Sequence, residues 1–207
     1  MFFLLRLAVI IQATWLSPLS TAESIAQVDK DIITFSSNQA ETTADIIKKL
    51  TTQHFQKQPI DDALSQNLLT QYLGLLDPTK SYFLQEDINE FQKWKFKLDD
   101  LLKSGDLSPG FFIYKRYQQR ASKRLQKNIA LLESGFIFDL NKDESLSIDT
   151  EANKWQDSTK DSDNYWRKKI KEAYLRLKLN DKDPEEVRKL LIKRYTNLKK
   201  RIHQSDS

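Results

Sequence analysis

A run of apolar residues with helical spacing, ended by a proline, constrains the fold of this chain more than any other feature. The residues of that run recur at intervals of three and four and would share one face of an α-helix: Leu64, Leu68, Tyr72 and Leu75. Pro78 disfavours helical dihedral angles at Asp77, so the helix has to end there. A second helix is predicted to begin near Glu86, which makes this region a helix–turn–helix element.

The same spacing recurs between helix breakers along most of the chain and predicts an all-α fold of about six helices in an irregular bundle. The predicted helices span residues 41–58, 61–76, 86–104, 108–133, 162–179 and 183–202, with either Asp61 or Asp62 opening the second. Thr42 and Asp45 are predicted to cap the first of them. Residues 136–160 are polar and irregular, and we expect Phe136, Phe138 and Trp155 to anchor this segment.

The composition excludes several classes of protein. Four glycines and five prolines are too few for a β-sandwich with its many turns, or for a glycine-rich phosphate loop. The absence of cysteine removes disulfides, thiolate zinc sites and cysteine nucleophiles. A formal net charge of +4 is too small to indicate a polyanionic partner.

The N-terminus has the pattern of an export signal. Residues 2–19 are largely apolar, and small residues at Ser20 and Ala22 suit signal-peptidase cleavage before Glu23. The apolar stretch is shorter than the roughly 20 residues of a spanning helix. We expect a signal peptide at 1–22, an extended lead segment at 23–40, a helical domain at 41–207 and a periplasmic location. An uncleaved anchor is the alternative.

The segment from Asp139 onward partly matches a calcium-binding loop. Asp139, Asn141 and Asp143 alternate as such a loop requires. Its sixth and twelfth positions need glycine and a bidentate glutamate, but Glu144 and Thr150 stand there. The pattern therefore favours a plain acidic loop.

Three further polar residues invite a catalytic interpretation. Glu133 and the serine after it resemble the acid of a lytic transglycosylase in that pair alone, and a helix end before Gly135 explains them without a catalytic role. His54 and His203 are isolated, and the sequence contains no Gly-x-Ser-x-Gly elbow. We predict no catalytic, cofactor-binding or metal-binding residue.

Basic residues cluster late in the chain, at 167–171 and 188–201. Trp166, Tyr174 and Tyr195 lie among them, an arrangement that can indicate nucleic-acid binding. These aromatic residues fall on the apolar helix faces, so we expect them in the core. The basic residues are then a solvated face, or a docking surface for an acidic partner or a membrane.

Several segments resemble, in order and spacing, the N-terminal helical region of the tail-specific proteases, bacterial periplasmic serine proteases that process C-termini. The segments are Tyr72–Phe91, Leu98–Leu107, Phe112–Tyr114, Leu131–Asp139, Trp155, Tyr165–Lys168, Leu175–Leu179 and Lys193–Tyr195. The resemblance runs from about Thr43 to His203.

This resemblance implies a role beside a protease core. Family members continue with a PDZ-like domain and a core that uses a Ser–Lys dyad, and those motifs lie beyond the matched region. No catalytic residue can be assigned here by resemblance. The leading hypothesis is a non-catalytic helical domain of a periplasmic protease that supports the core and shapes access of substrates or adaptors. The alternative is a free-standing secreted helical protein that docks on a full-length protease or another periplasmic partner.

Overall fold

A computed structural model describes residues 34–53, 59–139, 142–147, 153–179 and 183–204. Within these ranges the fold is all-α, as predicted, with no β-strand and seven helices instead of about six. The helices are α1 (Ser37–Gln53), α2 (Asp62–Leu76), α3 (Gln85–Phe91), α4 (Leu98–Lys103), α5 (Ser108–Glu133), α6 (Thr159–Lys178) and α7 (Pro184–Gln204). None of these helices is long and apolar enough to cross a bilayer. The predicted signal peptide lies outside the described residues.

Helix α1 begins earlier than predicted because of a capping box. The Ser36 N–H donates to Gln39 Oε1 at 2.8 Å, and the Gln39 N–H donates back to Ser36 Oγ at 3.3 Å. Residues 37–40 of the predicted extended lead are therefore helical. The predicted capping pair of Thr42 and Asp45 is wrong, because both residues lie inside α1.

Helix α2 starts and stops where the sequence predicts. Asp61 is its N-cap, and its carboxylate accepts hydrogen bonds of 3.1 Å from the N–H groups of Ala63 and Leu64. The helix ends at Leu76, and Asp77 leaves helical geometry with φ −134° and ψ 66°. The steric effect of the following proline is sufficient to explain this end.

The single helix predicted over 86–104 is wrong. Helix α3 ends at Phe91, a 3₁₀ turn occupies Gln92–Trp94, and α4 begins only at Leu98. The N-terminus of α4 is capped from another helix, because the Ser65 hydroxyl accepts from the Asp99 N–H at 2.8 Å and donates to the Asp99 carboxylate at 2.7 Å. A hydrogen bond to a residue 34 positions earlier in the sequence thus favours the break between α3 and α4.

The long helix α5 is shared by two hydrophobic cores. The first core joins its C-terminal half to α6 and α7: Leu125, Leu132, Phe138, Trp166, Ile170, Val187, Leu191 and Tyr195. The second joins its N-terminal half to α2 and α3: Leu69, Leu73, Phe83, Ile88, Phe91 and Ile113. Residues 33–207 form one compact unit that contains both cores.

Helix α7 runs antiparallel to α5 in the first core. Arg188 near the start of α7 donates to the carbonyl of Leu132 at 3.2 Å, and Gln118 donates to the carbonyl of Ile202 at 3.1 Å. Helix α6 begins three residues before the predicted Ser162, since Ser158 accepts the Asp161 N–H at 3.1 Å as its N-cap.

Of the three residues predicted to anchor the irregular segment before α6, two are packed against a core and one is exposed. Phe138 is buried in the first core, and Trp155 is half-buried against the second. Phe136 is 41% exposed, although its ring lies 5.3 Å from that of Phe138. Residues 84 and 156 form an isolated parallel bridge, with the Gln85 N–H donating to the carbonyl of Gln156 at 2.9 Å.

Candidate functional site

The turn after α2 is organised around one buried carboxylate. Asp77 accepts hydrogen bonds from the backbone N–H groups of Ser81, Tyr82 and Phe83 at 2.8, 3.0 and 3.1 Å. It also accepts the indole N–H of Trp155 at 3.2 Å. Burial raises the pKa of Asp77, and the four N–H donors oppose that rise. The carboxylate is committed to the turn and is not free to serve as a general base.

A second buried carboxylate joins α3 to α5. The Asp87 carboxylate forms ion pairs with Arg116 at 2.5 Å and Arg120 at 2.8 Å. It also accepts a hydrogen bond from the Leu84 N–H at 2.9 Å. Burial alone would raise the pKa of Asp87, but these hydrogen bonds hold it below its ordinary value. This group therefore stays ionised and ties the two helices together.

The acidic loop is attached to α6 through Glu144. The Glu144 carboxylate accepts from Arg167 and, at 3.1 Å, from Lys171, which also donates to the carbonyl of Lys142 at 2.9 Å. Arg167 is the main reason that the pKa of Glu144 falls to about 2. The described ranges contain no cluster of three or more metal-ligating side chains. Of the proposed calcium ligands, Asn141 lies outside those ranges.

The remaining candidates are dispersed. Glu133 is exposed at the end of α5, where Gly135 adopts φ +73°. His203 lies near the end of α7, with Nε2 3.2 Å from Ser122 Oγ. His54 lies outside the described residues, so the absence of a catalytic site remains a prediction.

The late aromatic residues belong mainly to the core, as predicted. Trp166 and Tyr195 are buried, Tyr174 is half-buried, and the Trp166 indole donates to the carbonyl of Ser81 at 2.8 Å. The Lys169 ammonium lies 4.6 Å from the centre of the Trp166 ring, and burial lowers the pKa of this lysine. These rings thus pack mainly within the helix bundle.

An open apolar groove of about 690 Å³ lies between the start of α1 and the α2–α4–α5 surface. Its lining is mostly apolar: Leu68, Leu69, Tyr72, Leu98, Leu102, Leu107, Pro109, Gly110, Phe111, Ile113 and Tyr114, with Thr34, Gln39 and Asp106 as the other residues. A groove of this size is within the range of ligand sites and is larger than the voids of packed interiors. Burial raises the pKa of Tyr72 to about 12, and its hydroxyl donates to the carbonyl of Gly110 at 3.1 Å.

The groove exists because the start of α1 is held against the turn after α4. Gly105 has φ +77°, and a Cβ atom there would lie 2.8 Å from the carbonyl oxygen of Ala40. The rings of Phe35 and Phe111 are 5.8 Å apart and close the same end. Sequence reasoning missed the groove, because it placed residues 34–40 in an extended segment with no packing role. The glycine at position 105 is a sequence signal for the left-handed turn, but it does not indicate which segment packs against that turn.

Comparisons with known proteins match most of this helical unit, from the second half of α1 onward. The tail-specific protease N-terminal domain family matches residues 46–207. The Tail-specific protease of Haemophilus influenzae is 34% identical over 158 residues, which are 76% of this chain and 22% of that protein. The chain therefore spans much less than half the length of the curated relative that it matches.

Proposed function

This chain belongs to the tail-specific protease N-terminal domain family, and on that premise we propose that it is the non-catalytic helical domain of a tail-specific serine endopeptidase. Such an enzyme cleaves proteins from their C-termini, and the domain serves as a scaffold for its protease core. The apolar residues at 2–19 support a periplasmic location.

The apolar groove is the observation that carries the scaffold role. Protein interiors leave few voids larger than a water molecule, so a groove of about 690 Å³ lined by leucines and aromatic rings is a surface suited to a partner. A protease core seated there would gain apolar contact while α1 stays exposed to approaching substrates or adaptors.

The buried carboxylates support a non-catalytic role. Asp77 is held by four N–H donors, Asp87 by two arginines and Glu144 by Arg167 and Lys171. General acid–base catalysis needs a carboxyl group that can exchange its proton with a substrate. The oxygen atoms of these groups instead accept hydrogen bonds from within the protein, and those bonds hold helices and loops together.

A chimera tests this function directly. Residues 34–207, which include the start of α1 and so the whole groove, would replace the corresponding N-terminal segment of the Haemophilus protease, and cleavage of a peptide with a C-terminal tag would be measured. We expect the chimera to cleave the peptide, the isolated chain to leave it intact, and Leu102→Glu in the groove to abolish chimera activity. Leu75→Glu, on α2 and 77% exposed, is the matched control. Hydrolysis by the isolated chain, or equal loss from both variants, contradicts the proposal.

The groove also favours a second candidate, a free-standing secreted binding or regulatory protein. In that case the chain docks on a full-length protease or another periplasmic partner. The chain titrated into the intact Haemophilus protease should then bind it and change its rate of cleavage. Absence of binding, together with an active chimera, would leave only the scaffold role.

A further inference from the structure

The break between α3 and α4 displays an alternating run of lysines and aromatic residues. We call Lys93–Lys97, with the sequence KWKFK, the aromatic–lysine turn. A 3₁₀ turn ends at Trp94, and a non-helical turn then leads to Leu98. The Phe96 side chain is 53% exposed, which is unusual for an aromatic residue beside a core.

The turn is seated firmly on the second core. The Trp94 ring stacks on Phe91 at 6.3 Å and meets the edge of Phe112 at 5.2 Å. Phe112 is itself 38% exposed, so the apolar surface extends from the turn onto α5. The Lys93 ammonium lies 4.3 Å from the centre of the Trp94 ring and 4.8 Å from that of Phe112.

The charge around these rings is positive. Glu90 is shared by Lys93 at 3.5 Å and Arg116 at 2.9 Å. Lys95 and Lys97 have no ion pair within the described part of the chain, and the Lys95 ammonium lies 5.1 Å from the centre of the Phe96 ring. The turn therefore presents unneutralised cations beside an exposed ring.

We propose that the aromatic–lysine turn docks this face of the protein on an anionic lipid bilayer. The Phe96 ring enters the boundary between headgroups and acyl chains, where aromatic side chains partition favourably. Lys93, Lys95 and Lys97 stay at the level of the headgroup phosphates, which attract them. An acidic protein could also pair with these lysines, but a single ring flanked on both sides by lysines matches the boundary at which acyl chains meet headgroup phosphates.

This inference does not rest on the proposed function, because none of the residues Lys93–Lys97 lines the groove. The apolar residues before Glu23 would themselves bind lipid, so the test uses the chain from Glu23. That chain retains the compact unit of residues 33–207 with both cores.

Co-sedimentation with phosphatidylglycerol-containing vesicles, compared with pure phosphatidylcholine vesicles, provides the measurement. We expect binding to the anionic vesicles alone, weakening as salt is raised. Lys93→Gln, Lys95→Gln and Lys97→Gln combined should weaken it roughly a hundredfold, since three cations leave the surface. Phe96→Ser should weaken it by about tenfold. Lipids brominated along the acyl chains should quench Trp94 fluorescence in the parent chain, and Trp94→Phe should remove that quenched component.

Matched variants distinguish binding through the aromatic–lysine turn from binding through any exposed lysines or any exposed apolar residue. Lys189→Gln, Lys193→Gln and Lys200→Gln combined remove the same charge from exposed positions on α7, and Leu75→Ser removes an exposed apolar residue on α2. Both should bind like the parent, and circular dichroism should show every variant folded. No binding of the parent to anionic vesicles, as expected if the partner is an acidic protein, overturns the proposal. So does an equal loss from the α7 variant.

Discussion

The indole N–H of Trp155 donates a 3.2 Å hydrogen bond to the carboxylate of Asp77, although 78 residues separate them in sequence. The bond attaches the irregular segment before α6 to the turn after α2. The same carboxylate also receives three consecutive backbone N–H groups. One buried oxygen pair thus determines both the shape of a local turn and the path of a distant segment.

Asp77→Ala should therefore be among the most destabilising single changes in this domain. It leaves three backbone N–H groups and one indole N–H without their acceptor in a buried place, and we expect the free energy of unfolding to fall by about 4 kcal/mol. Urea denaturation followed by circular dichroism measures the change. Asp100→Ala, at a side chain 79% exposed, is the control and should shift stability by less than about 0.5 kcal/mol. Similar values for the two variants would show that the carboxylate is dispensable.

Two glycines should respond to alanine in opposite directions. Gly105→Ala forces a Cβ atom to within 2.8 Å of the Ala40 carbonyl oxygen at φ +77°, and should cost about 2 kcal/mol or more. Gly74→Ala, inside α2 where an added Cβ would meet nothing within 4 Å beyond the backbone of its own helix, should stabilise by about 0.5–1 kcal/mol. Thermal melts should show a lower Tm for Gly105→Ala and a higher Tm for Gly74→Ala than for the parent. A stabilised Gly105→Ala protein would be incompatible with the described seat of α1.

Asp87 and its exposed neighbour Glu86 both pair with Arg120, so their replacement compares a buried with an exposed ion pair to the same arginine. Asp87→Ala removes a fully buried partner of Arg116 and Arg120 and should cost about 3 kcal/mol, because two half-buried guanidinium groups lose their one buried counter-charge and keep only the exposed Glu90 and Glu86. Glu86 also pairs with Arg120, at 2.5 Å, but is 65% exposed, so Glu86→Ala should cost less than about 1 kcal/mol. Chemical denaturation of the pair gives the difference. Equal costs would mean that burial does not set the strength of this contact.

Glu144 predicts a pH dependence at the acidic end of the range. Its folded-state pKa of about 2 lies below its ordinary value of 4.5, so its contribution is complete above pH 4.5 and is lost as the pH falls toward 2. The Tm difference between the parent and Glu144→Gln should be largest near pH 6 and vanish near pH 2. Glu133→Gln, at an exposed position, should follow the parent throughout. A Glu144→Gln difference that is constant with pH would exclude this linkage.

The sequence was sufficient to predict those helix ends and buried faces that depend on a residue and its immediate neighbours. The end of α2 at Leu76 and its start at Asp61 or Asp62 were predictable, because steric and capping effects act within about four residues. The bounds of α5 were predictable from the proline near its start and the glycine after its end. The buried faces of α6 and α7 were predictable as well, since helical periodicity places Trp166, Ile170, Val187 and Leu191 on one side.

The sequence by itself determined the all-α class, most helix positions and the family, because those depend on periodicity, breakers and ordered motifs. Only the tertiary structure decided where 86–104 breaks, since Ser65 caps α4 from a different helix. It also decided that residues 37–40 belong to α1 and border a groove, through the close approach of Gly105 to Ala40. Such contacts join residues tens of positions apart, and the free energy that selects them comes from packing that no local window of sequence contains.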